Sequence, residues 1–204
     1  MITIIDYGAG NIKSIRNMLK KIGVESIISN NPEEIAVANK LILPGVGHFD
    51  FGMQNLRKSG LIDVLNRSVL EKKTPLLGIC LGAQLLGNSS EEGVEKGLGW
   101  IDMENIKFDT QKMESQLKVP HMGWNQVTIE QESTLFNNLE QEARFYFVHS
   151  YHMKPNNSSS PLASTNYGYS FTSAVEYDNI YGVQFHPEKS HKFGMQLLKN
   201  FSKL

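Results

Sequence analysis

The residues best suited to chemistry in this chain of 204 residues surround its single cysteine, Cys80. An apolar run, residues 76–79, leads into the segment Gly78-Ile79-Cys80-Leu81-Gly82, and a helical pattern follows. Small residues on both sides fit the tight strand-to-helix turn that lifts a nucleophile out of its strand. A helix N-terminus beside the thiol would also favour the thiolate. The spacing alone leaves two interpretations open: a nucleophile, or a small residue packed in the core.

A second candidate group is His186-Pro187-Glu188. Apolar and polar side chains alternate over residues 181–186, which places His186 near a strand end and on the face opposite the apolar side chains. Pro187 keeps His186 out of a helix, so an extended chain returns Glu188 to the same side. A base with an orienting carboxylate would complete a nucleophilic set with Cys80. A histidine satisfied within a local turn is the alternative.

Two glycine-rich stretches could approach a ligand closely. In Pro44-Gly45-Val46-Gly47 the glycines would leave backbone N–H groups free, as an oxyanion hole requires, although a simple tight turn would have the same sequence. The stretch Asp6-Tyr7-Gly8-Ala9-Gly10-Asn11 follows the first apolar run. It does not match a dinucleotide fingerprint, because Lys13 stands where the third glycine would be.

The remaining histidines show no metal-ligand spacing. His149 and His152 lie three apart in a stretch with strand character, and this spacing predicts side chains on opposite faces. We therefore expect no metal site and no cofactor.

These groups need a sheet to position them. Apolar runs at residues 2–5, 24–28, 41–43 and 76–79 alternate with helical patterns at 12–22, from 32, at 49–57 and at 62–71. This order predicts a parallel sheet with helices on both faces and ligands at the carboxyl ends of its strands. Residues 100–108, 123–129, 144–148, 173–177 and 180–185 predict antiparallel strands in the second half, before a last helix from about residue 190.

Composition excludes several classes of function. The 20 basic and 21 acidic residues give a formal charge of -1, which argues against strong electrostatic binding to nucleic acid or to a membrane surface. One cysteine forms no intramolecular disulfide, and the run at residues 1–5 lacks the features of a signal peptide. We expect a cytoplasmic protein.

Motifs along nearly the whole chain resemble the class I (triad) glutamine amidotransferases. They are Asp6-Tyr7-Gly8 with Gly10-Asn11, Leu43-Pro44-Gly45-Val46-Gly47, Gly78-Ile79-Cys80-Leu81-Gly82 with Gln84, Ser90-Glu91-Glu92-Gly93, Pro120-His121-Met122-Gly123-Trp124-Asn125, Phe147-Val148-His149-Ser150-Tyr151, and Gln184-Phe185-His186-Pro187-Glu188-Lys189-Ser190. Within this family the chain is similar to the glutaminase subunits of imidazole glycerol phosphate synthases of histidine biosynthesis. The resemblance implies a flavodoxin-like α/β fold with a mostly parallel sheet and antiparallel additions, forming one domain over residues 1–204.

The resemblance also implies a reaction and its site. Cys80 would attack the carboxamide of glutamine, with His186 as acid and base and Glu188 as the orienting carboxylate. Backbone N–H groups would form the oxyanion hole, at Gly45, Val46, Gly47 and Leu81. The glutamine pocket would be lined by Gln84, His149, Ser150 and Tyr151.

A partner is implied because 204 residues leave no room for the acceptor reaction. In the family the ammonia passes to a (βα)8 synthase barrel, which with this subunit forms a heterodimer with lyase activity. The residues expected toward the partner and the ammonia passage are Pro120, Met122, Trp124, Asn125, Tyr146 and Lys189.

Three alternatives stay open at this point. Residues 98–102, His152 and residues 191–194 are closer to paralogous subunits that feed a sugar amidotransferase in surface-polysaccharide or flagellar-glycan biosynthesis. A free-standing cysteine hydrolase on a related sheet is the second. The third is a catalytically silent binding subunit in which Cys80 is only a core residue.

Overall fold

The computed structural model describes residues 1–113, 117–140, 142–157 and 160–204. The strands are β1 (Ile2–Ile5), β2 (Ser26–Ser29), β3 (Lys40–Gly45), β4 (Leu76–Cys80), β5 (Ser89–Ser90), β6 (Met103–Lys107), β7 (His121–Gln126), β8 (Thr128–Ile129), β9 (Arg144–His149), β10 (Tyr151–Pro155), β11 (Pro161–Tyr167), β12 (Tyr169–Tyr177) and β13 (Ile180–Val183). The helices are α1 (Ile12–Lys21), α2 (Pro32–Ala36), α3 (Phe49–Lys58), α4 (Ile62–Asn66), α5 (Leu81–Gln84) and α6 (His191–Phe201).

The main sheet runs in the order β2-β1-β3-β4-β13-β12-β10-β6-β5. Strands β2, β1, β3, β4 and β13 are parallel, and β12, β10 and β6 continue the sheet in antiparallel pairs. This confirms the predicted parallel sheet with antiparallel additions, although β13, expected among the antiparallel strands, pairs in parallel with β4 and only its pairing with β12 is antiparallel. Strands β1, β3 and β4 consist almost entirely of buried residues, as expected for strands covered on both faces.

Local chemistry sets where the first helices begin and end. α1 turns Ile15 and Leu19 into the core, and the chain leaves it through Gly23 at a φ of 75°. Asn31 caps α2 by accepting a hydrogen bond from the backbone of Glu33, with Pro32 in the first turn. The bounds of both helices agree with the helical patterns predicted at residues 12–22 and from 32.

A separate two-stranded sheet, β7 with β9, covers one side of the site. Along β9 the side chains of Phe145, Phe147 and His149 are buried, whereas those of Tyr146 and Val148 are half-buried. Residues opposite each other in this pair include His121 with His149 and Trp124 with Tyr146. The alternation of β7 thus separates an exposed face from a face that packs inward.

Several predicted elements differ from the observed ones. The strand expected at residues 100–108 is shorter, because the backbone N–H groups of Trp100 and Ile101 turn to the carbonyl of Leu86. The helix expected at residues 62–71 changes after Asn66 into a π-helical turn, Arg67–Glu71. Strand β11 carries no clean apolar alternation and was not predicted, whereas β10 falls in the stretch around His152 for which the sequence indicated strand character.

Within the described residues, none of the helices has the length and apolar character needed to span a membrane.

Candidate active site

Cys80 stands at the sharp turn between β4 and α5. Its backbone has a φ of 54°, a region that costs energy for any residue other than glycine and that often marks functional turns. The turn packs directly on β3: a Cβ on Gly82 would lie 1.9 Å from the carbonyl oxygen of Leu43, and one on Gly78 would lie 2.7 Å from the Cα of Ala83. These small residues are therefore required by the packing, as the sequence indicated.

The helix after Cys80 is shorter than the sequence suggested. α5 has only four residues, so few peptide dipoles align behind the thiol. The residue Cys80 is 7% exposed, and its Sγ lies 3.9 Å from Nε2 of Gln184. The setting of Cys80 thus depends on its side-chain neighbours more than on a helix dipole.

His186 and Glu188 form a buried pair beside Cys80. Nδ1 of His186 donates to Oε1 of Glu188 over 2.8 Å, and both side chains are 1% exposed. Nε2, on the other side of the imidazole, forms no hydrogen bond within normal limits to any residue in the described ranges. Burial lowers the pKa of His186, but the neighbouring Cys80 and Glu188 outweigh burial and raise it to about 10. A pKa of about 10 favours the doubly protonated imidazolium form of His186 at neutral pH.

The backbone of His186 is tied to β9. Its N–H donates to the carbonyl of Tyr146 over 2.9 Å, which forms an isolated β-bridge between the two residues. The hydroxyl of Ser190 donates to the carbonyl of His186 over 2.6 Å and accepts from the N–H of Tyr146 over 3.0 Å. These bonds join the histidine to the two-stranded sheet.

A pocket of about 200 Å³ opens beside Cys80. It is lined by Val46, Gly47, Cys80, Leu81, Gln84, Glu92, Val148, His149, Ser150, Tyr151 and His186. Its size suits a small metabolite, since pockets for drug-sized ligands measure roughly 300–1,000 Å³. The four residues predicted to bind glutamine all line it.

The remaining predicted residues do not line this pocket. Gly45 pairs with Cys80 across β3 and β4, and Glu188 lies behind His186. Met122 and Trp124 are 61% and 45% exposed on one face of β7, and Asn125 lies on the opposite face. Pro120 is exposed immediately before β7.

The exposed face of β7 is flanked by further aromatic and cationic groups. The ring of Trp124 stacks on that of His191 with centroids 5.2 Å apart and an interplanar angle of 4°. Nζ of Lys189 lies 5.4 Å from the centroid of the Tyr146 ring, a cation–π arrangement. Together with Met122, these residues form a continuous face, which we call the β7 face.

The segment that leads into Gly47 is held at one end. The hydroxyl of Tyr7 donates to the carbonyl of Pro44 over 2.6 Å, and a Cβ on Gly10 would lie 2.8 Å from the Cβ of Pro44. Burial raises the pKa of Tyr7 above its usual range, so the hydroxyl keeps its proton. Gly47, by contrast, has a φ of 100° and open space where a Cβ would be.

Glu92 is a pocket residue to which the sequence assigned no role. Its Oε2 accepts a hydrogen bond from the N–H of Phe49 at the start of α3, over 2.8 Å. The turn after it fits tightly, because a Cβ on Gly93 would lie 1.9 Å from Oδ1 of Asp50. The motif Ser90-Glu91-Glu92-Gly93 was the available signal, but the pocket position depends on a contact with a distant helix.

The prediction that His149 and His152 lie on opposite faces is wrong. Both rings pack against Phe108, with centroid distances of 5.2 and 4.9 Å. β9 ends at His149 and β10 begins at Tyr151 in the other sheet, so the strand alternation does not continue through Ser150. In the described part of the chain, no three His, Cys, Asp or Glu side chains are placed to hold a metal ion.

Comparison with known protein families and sequences gives matches over the full chain. A family model described as "Glutamine amidotransferase class-I" matches residues 3–204. A Pseudomonas aeruginosa protein named "Imidazole glycerol phosphate synthase subunit HisH 2" is 56% identical over 204 residues, which is all of both chains. A Methanococcus maripaludis protein of the same name is 59% identical over 203 residues, covering 100% of this chain and 99% of the relative.

Solved structures share the architecture. One described as a glutamine amidotransferase has a TM-score of 0.75 at 18% identity and covers 100% of this chain and 98% of its own. PurLQS from Thermotoga maritima has a TM-score of 0.74 at 17% identity, with coverage of 98% and 96%. These likenesses confirm the predicted fold.

Proposed function

The chain belongs to the class I glutamine amidotransferases, and from that membership we propose that it is the glutaminase subunit of an imidazole glycerol phosphate synthase. It hydrolyses L-glutamine to glutamate and ammonia and passes the ammonia to a separate (βα)8 cyclase barrel. The observation that carries this proposal is the placement of His186 between Glu188 and Cys80 at a pocket of about 200 Å³. The full-length similarity to proteins named as subunits of that synthase supports the acceptor.

The first half of the reaction forms a thioester. His186 holds the proton of the Cys80 thiol, and the resulting thiolate attacks the carboxamide carbon of glutamine. The new C–S bond leaves a negative charge on the carboxamide oxygen. His186 then gives its proton to the departing nitrogen, the C–N bond breaks and ammonia leaves. The raised pKa of His186 supports this step, because the imidazolium is present at neutral pH.

The second half hydrolyses the thioester. The neutral imidazole of His186 takes a proton from water, and the hydroxide adds to the thioester carbon. Collapse of this intermediate breaks the C–S bond and releases glutamate and Cys80. Glu188 keeps the ring oriented and stabilises its charge in both halves, without leaving its hydrogen bond to Nδ1.

Backbone N–H groups stabilise the oxyanion in both intermediates. We assign them to Leu81, next to Cys80, and to residues 45–47 at the end of β3. Val46, Gly47 and Leu81 line the pocket, and Gly45 is the ladder partner of Cys80. Glycine at positions 45 and 47 lets this backbone turn an N–H toward the developing charge.

The far side of the pocket binds the amino-acid end of glutamine. Gln84, His149, Ser150 and Tyr151 provide this wall, and Glu92 adds a carboxylate that suits the substrate ammonium group. Nε2 of Gln84 donates to the carbonyl of Tyr151 and to Oε1 of Gln184, both over 3.0 Å, so its side chain braces the wall.

The β7 face receives the barrel. Met122, Trp124, Tyr146 and Lys189 lie there, and Pro120 is exposed just before β7. Asn125, also expected toward the partner, lies on the opposite face of β7. The two large exposed apolar side chains, Met122 and Trp124, suit a protein interface. A cytoplasmic location belongs to the same proposal, since the thiol of Cys80 must stay reduced to react.

The decisive experiment replaces Cys80 with alanine in the complex with the cyclase barrel and its acceptor. Glutamate release from glutamine should fall to background, while synthesis from added ammonium salt should persist, because the acceptor reaction on the barrel does not use Cys80. Equal glutamate release by wild type and Cys80→Ala would refute the proposal. So would a wild-type complex that uses ammonium salt but not glutamine, the behaviour of a silent subunit.

The same assay addresses the sugar amidotransferase alternative. His191, one of the residues that resembles the paralogous subunits, stacks on Trp124 within the β7 face, so a partner must fit this pair. The alternative predicts that a sugar amidotransferase barrel, and not the cyclase, stimulates glutamine turnover. That result would change the proposed acceptor but not the proposed glutaminase reaction.

A further inference from the structure

A chain of hydrogen bonds runs from the inward side of β7 to the wall of the pocket. Nδ2 of Asn125 lies 3.2 Å from Nε2 of His121, and Nδ1 of His121 lies 3.0 Å from Nε2 of His149. Nδ1 of His149 lies 2.8 Å from the carbonyl oxygen of Tyr151. Neither histidine belongs to the reaction sequence above, and both are buried.

The direction of these bonds follows from their ends. The carbonyl of Tyr151 only accepts, so Nδ1 of His149 carries a proton. Burial lowers the pKa of His149 well below its usual range, so the ring is neutral and its Nε2 accepts from Nδ1 of His121. Burial also lowers the pKa of His121, to about 4, which leaves its Nε2 to accept from Asn125. Each ring therefore has one defined tautomer.

Packing fixes the ring of His121 in this orientation. It stacks between Tyr167 and Phe147, with centroids 4.0 and 4.7 Å away and interplanar angles of 26° and 25°. Its Cα is directly opposite that of His149 in the β7–β9 pair. A ring held on both faces presents its Nδ1–H in one direction only.

The end of the chain is a structural element of the pocket. The Tyr151 carbonyl accepts from His149 and from Gln84, whose side chains both line the cavity together with Ser150 and Tyr151. β9 ends and β10 begins here, so no continuous strand holds this corner. The side-chain hydrogen bonds to the Tyr151 carbonyl add to the backbone bonds that β10 and the Ser150 carbonyl make with residues 107–108.

We propose that His121 is a positioning residue for glutamine binding: it fixes His149, and His149 holds the Ser150–Tyr151 corner of the pocket wall in the shape that receives the substrate. This inference rests on the proposed glutaminase function. It also gives β7 two roles, since its outward side chains form the β7 face and its inward side chains support the pocket.

The test compares His121→Phe with wild type in the complex with the cyclase barrel and its acceptor. Phenylalanine keeps the stacked ring but leaves Nε2 of His149 without a donor. We expect KM for glutamine to rise about tenfold, equivalent to about 1.4 kcal/mol of binding, with a much smaller change in kcat. His121→Asn places an amide N–H near the position of Nδ1 and should reverse most of the increase.

His152→Phe is the matched control. His152 is buried in the same aromatic cluster, but its nitrogens face the carbonyl of Met153 and the hydroxyl of Tyr169, away from the pocket. Its KM should stay at the wild-type value. Two outcomes would overturn the inference while leaving the proposed function in place, provided that the wild-type complex is active. In one, His121→Phe has the same KM for glutamine as wild type. In the other, KM rises as much in His152→Phe as in His121→Phe. A wild type that releases no glutamate overturns the proposed function as well.

A measurement on the wild-type chain keeps the inference testable if the variants fold poorly. Nitrogen-15 NMR of the imidazole side chains should show His121 and His149 both neutral and both protonated at Nδ1. A proton on Nε2 of His149 would overturn the inference.

Discussion

His186 and Glu188 are joined by a hydrogen bond of 2.8 Å between Nδ1 and Oε1, and both side chains are almost inaccessible to water. The second carboxylate oxygen of Glu188 has no hydrogen-bond partner among the described residues. The carboxylate thus acts chiefly on the imidazole, and its charge is poorly screened by solvent.

Glu188→Gln tests this relationship. Glutamine keeps the shape of the side chain but removes its charge, so the pKa of His186 should fall from about 10 and the imidazolium should be less stabilised. We expect kcat for glutamine to fall by about 10² to 10⁴ in the complex, measured as glutamate release at pH 7. A kcat close to that of wild type would mean that Glu188 does not orient or stabilise His186.

The buried histidines predict a loss of stability in acid. The pKa of His121 is about 4 in the folded chain and about 6.5 in the unfolded chain. The neutral ring therefore makes its full contribution to the free energy of unfolding above pH 6.5, and this contribution is lost as the pH falls through 4. The change is about 3 kcal/mol at most. Urea unfolding at pH 7.5 and 4.5 should show a larger decrease for wild type than for His121→Phe. Equal decreases would contradict the prediction.

Tyr7→Phe tests whether the clamp on Pro44 matters for catalysis. The substitution removes a buried hydroxyl that donates to the Pro44 carbonyl, so residues 45–47 lose their anchor. We expect kcat to fall severalfold because the oxyanion donors are less well preorganised. Tyr181→Phe is the control: Tyr181 is also buried, with a pKa raised to about 12, and lies away from the pocket. The prediction fails if the two variants have the same kcat.

Trp124→Ala tests the β7 face. Trp124 is large, 45% exposed and stacked on His191, as expected of an anchor in a protein interface. The dissociation constant of the complex with the cyclase barrel should rise by about 30-fold, equivalent to about 2 kcal/mol, in a titration. Val37→Ala removes an apolar side chain that is 78% exposed outside this face and should leave the affinity unchanged. Equal affinities for the Trp124→Ala and wild-type chains would exclude Trp124 from the interface.

The first half of the fold could be predicted because its information is local. Buried apolar runs and helical spacing are properties of short segments, and capping residues such as Asn31 act on their immediate neighbours. β11 was missed because it begins at a proline and contains many polar residues, although its main partner, β12, is the next strand along the chain. β10 could not be placed from the sequence, because it pairs with the distant strand β6.

The same difference between local and long-range contacts decides which parts of the site could be predicted. The turn at Cys80 could be predicted because its small neighbours are adjacent in sequence. Glu92 and His121 could not be, since one meets the start of α3 and the other meets His149 across a strand pair. In both cases the useful contact joins residues 28 or more positions apart.

The bridge between Tyr146 and His186 has a mechanical consequence. Cys80 belongs to the main sheet, whereas His186 is fastened through its own N–H and through Ser190 to the small sheet that carries Met122 and Trp124. A force applied to the outside of the small sheet therefore reaches His186 directly, and reaches Cys80 only through the pairing of β13 with β4. A protein docked on the small sheet would therefore change the distance between the thiol of Cys80 and the imidazole of His186.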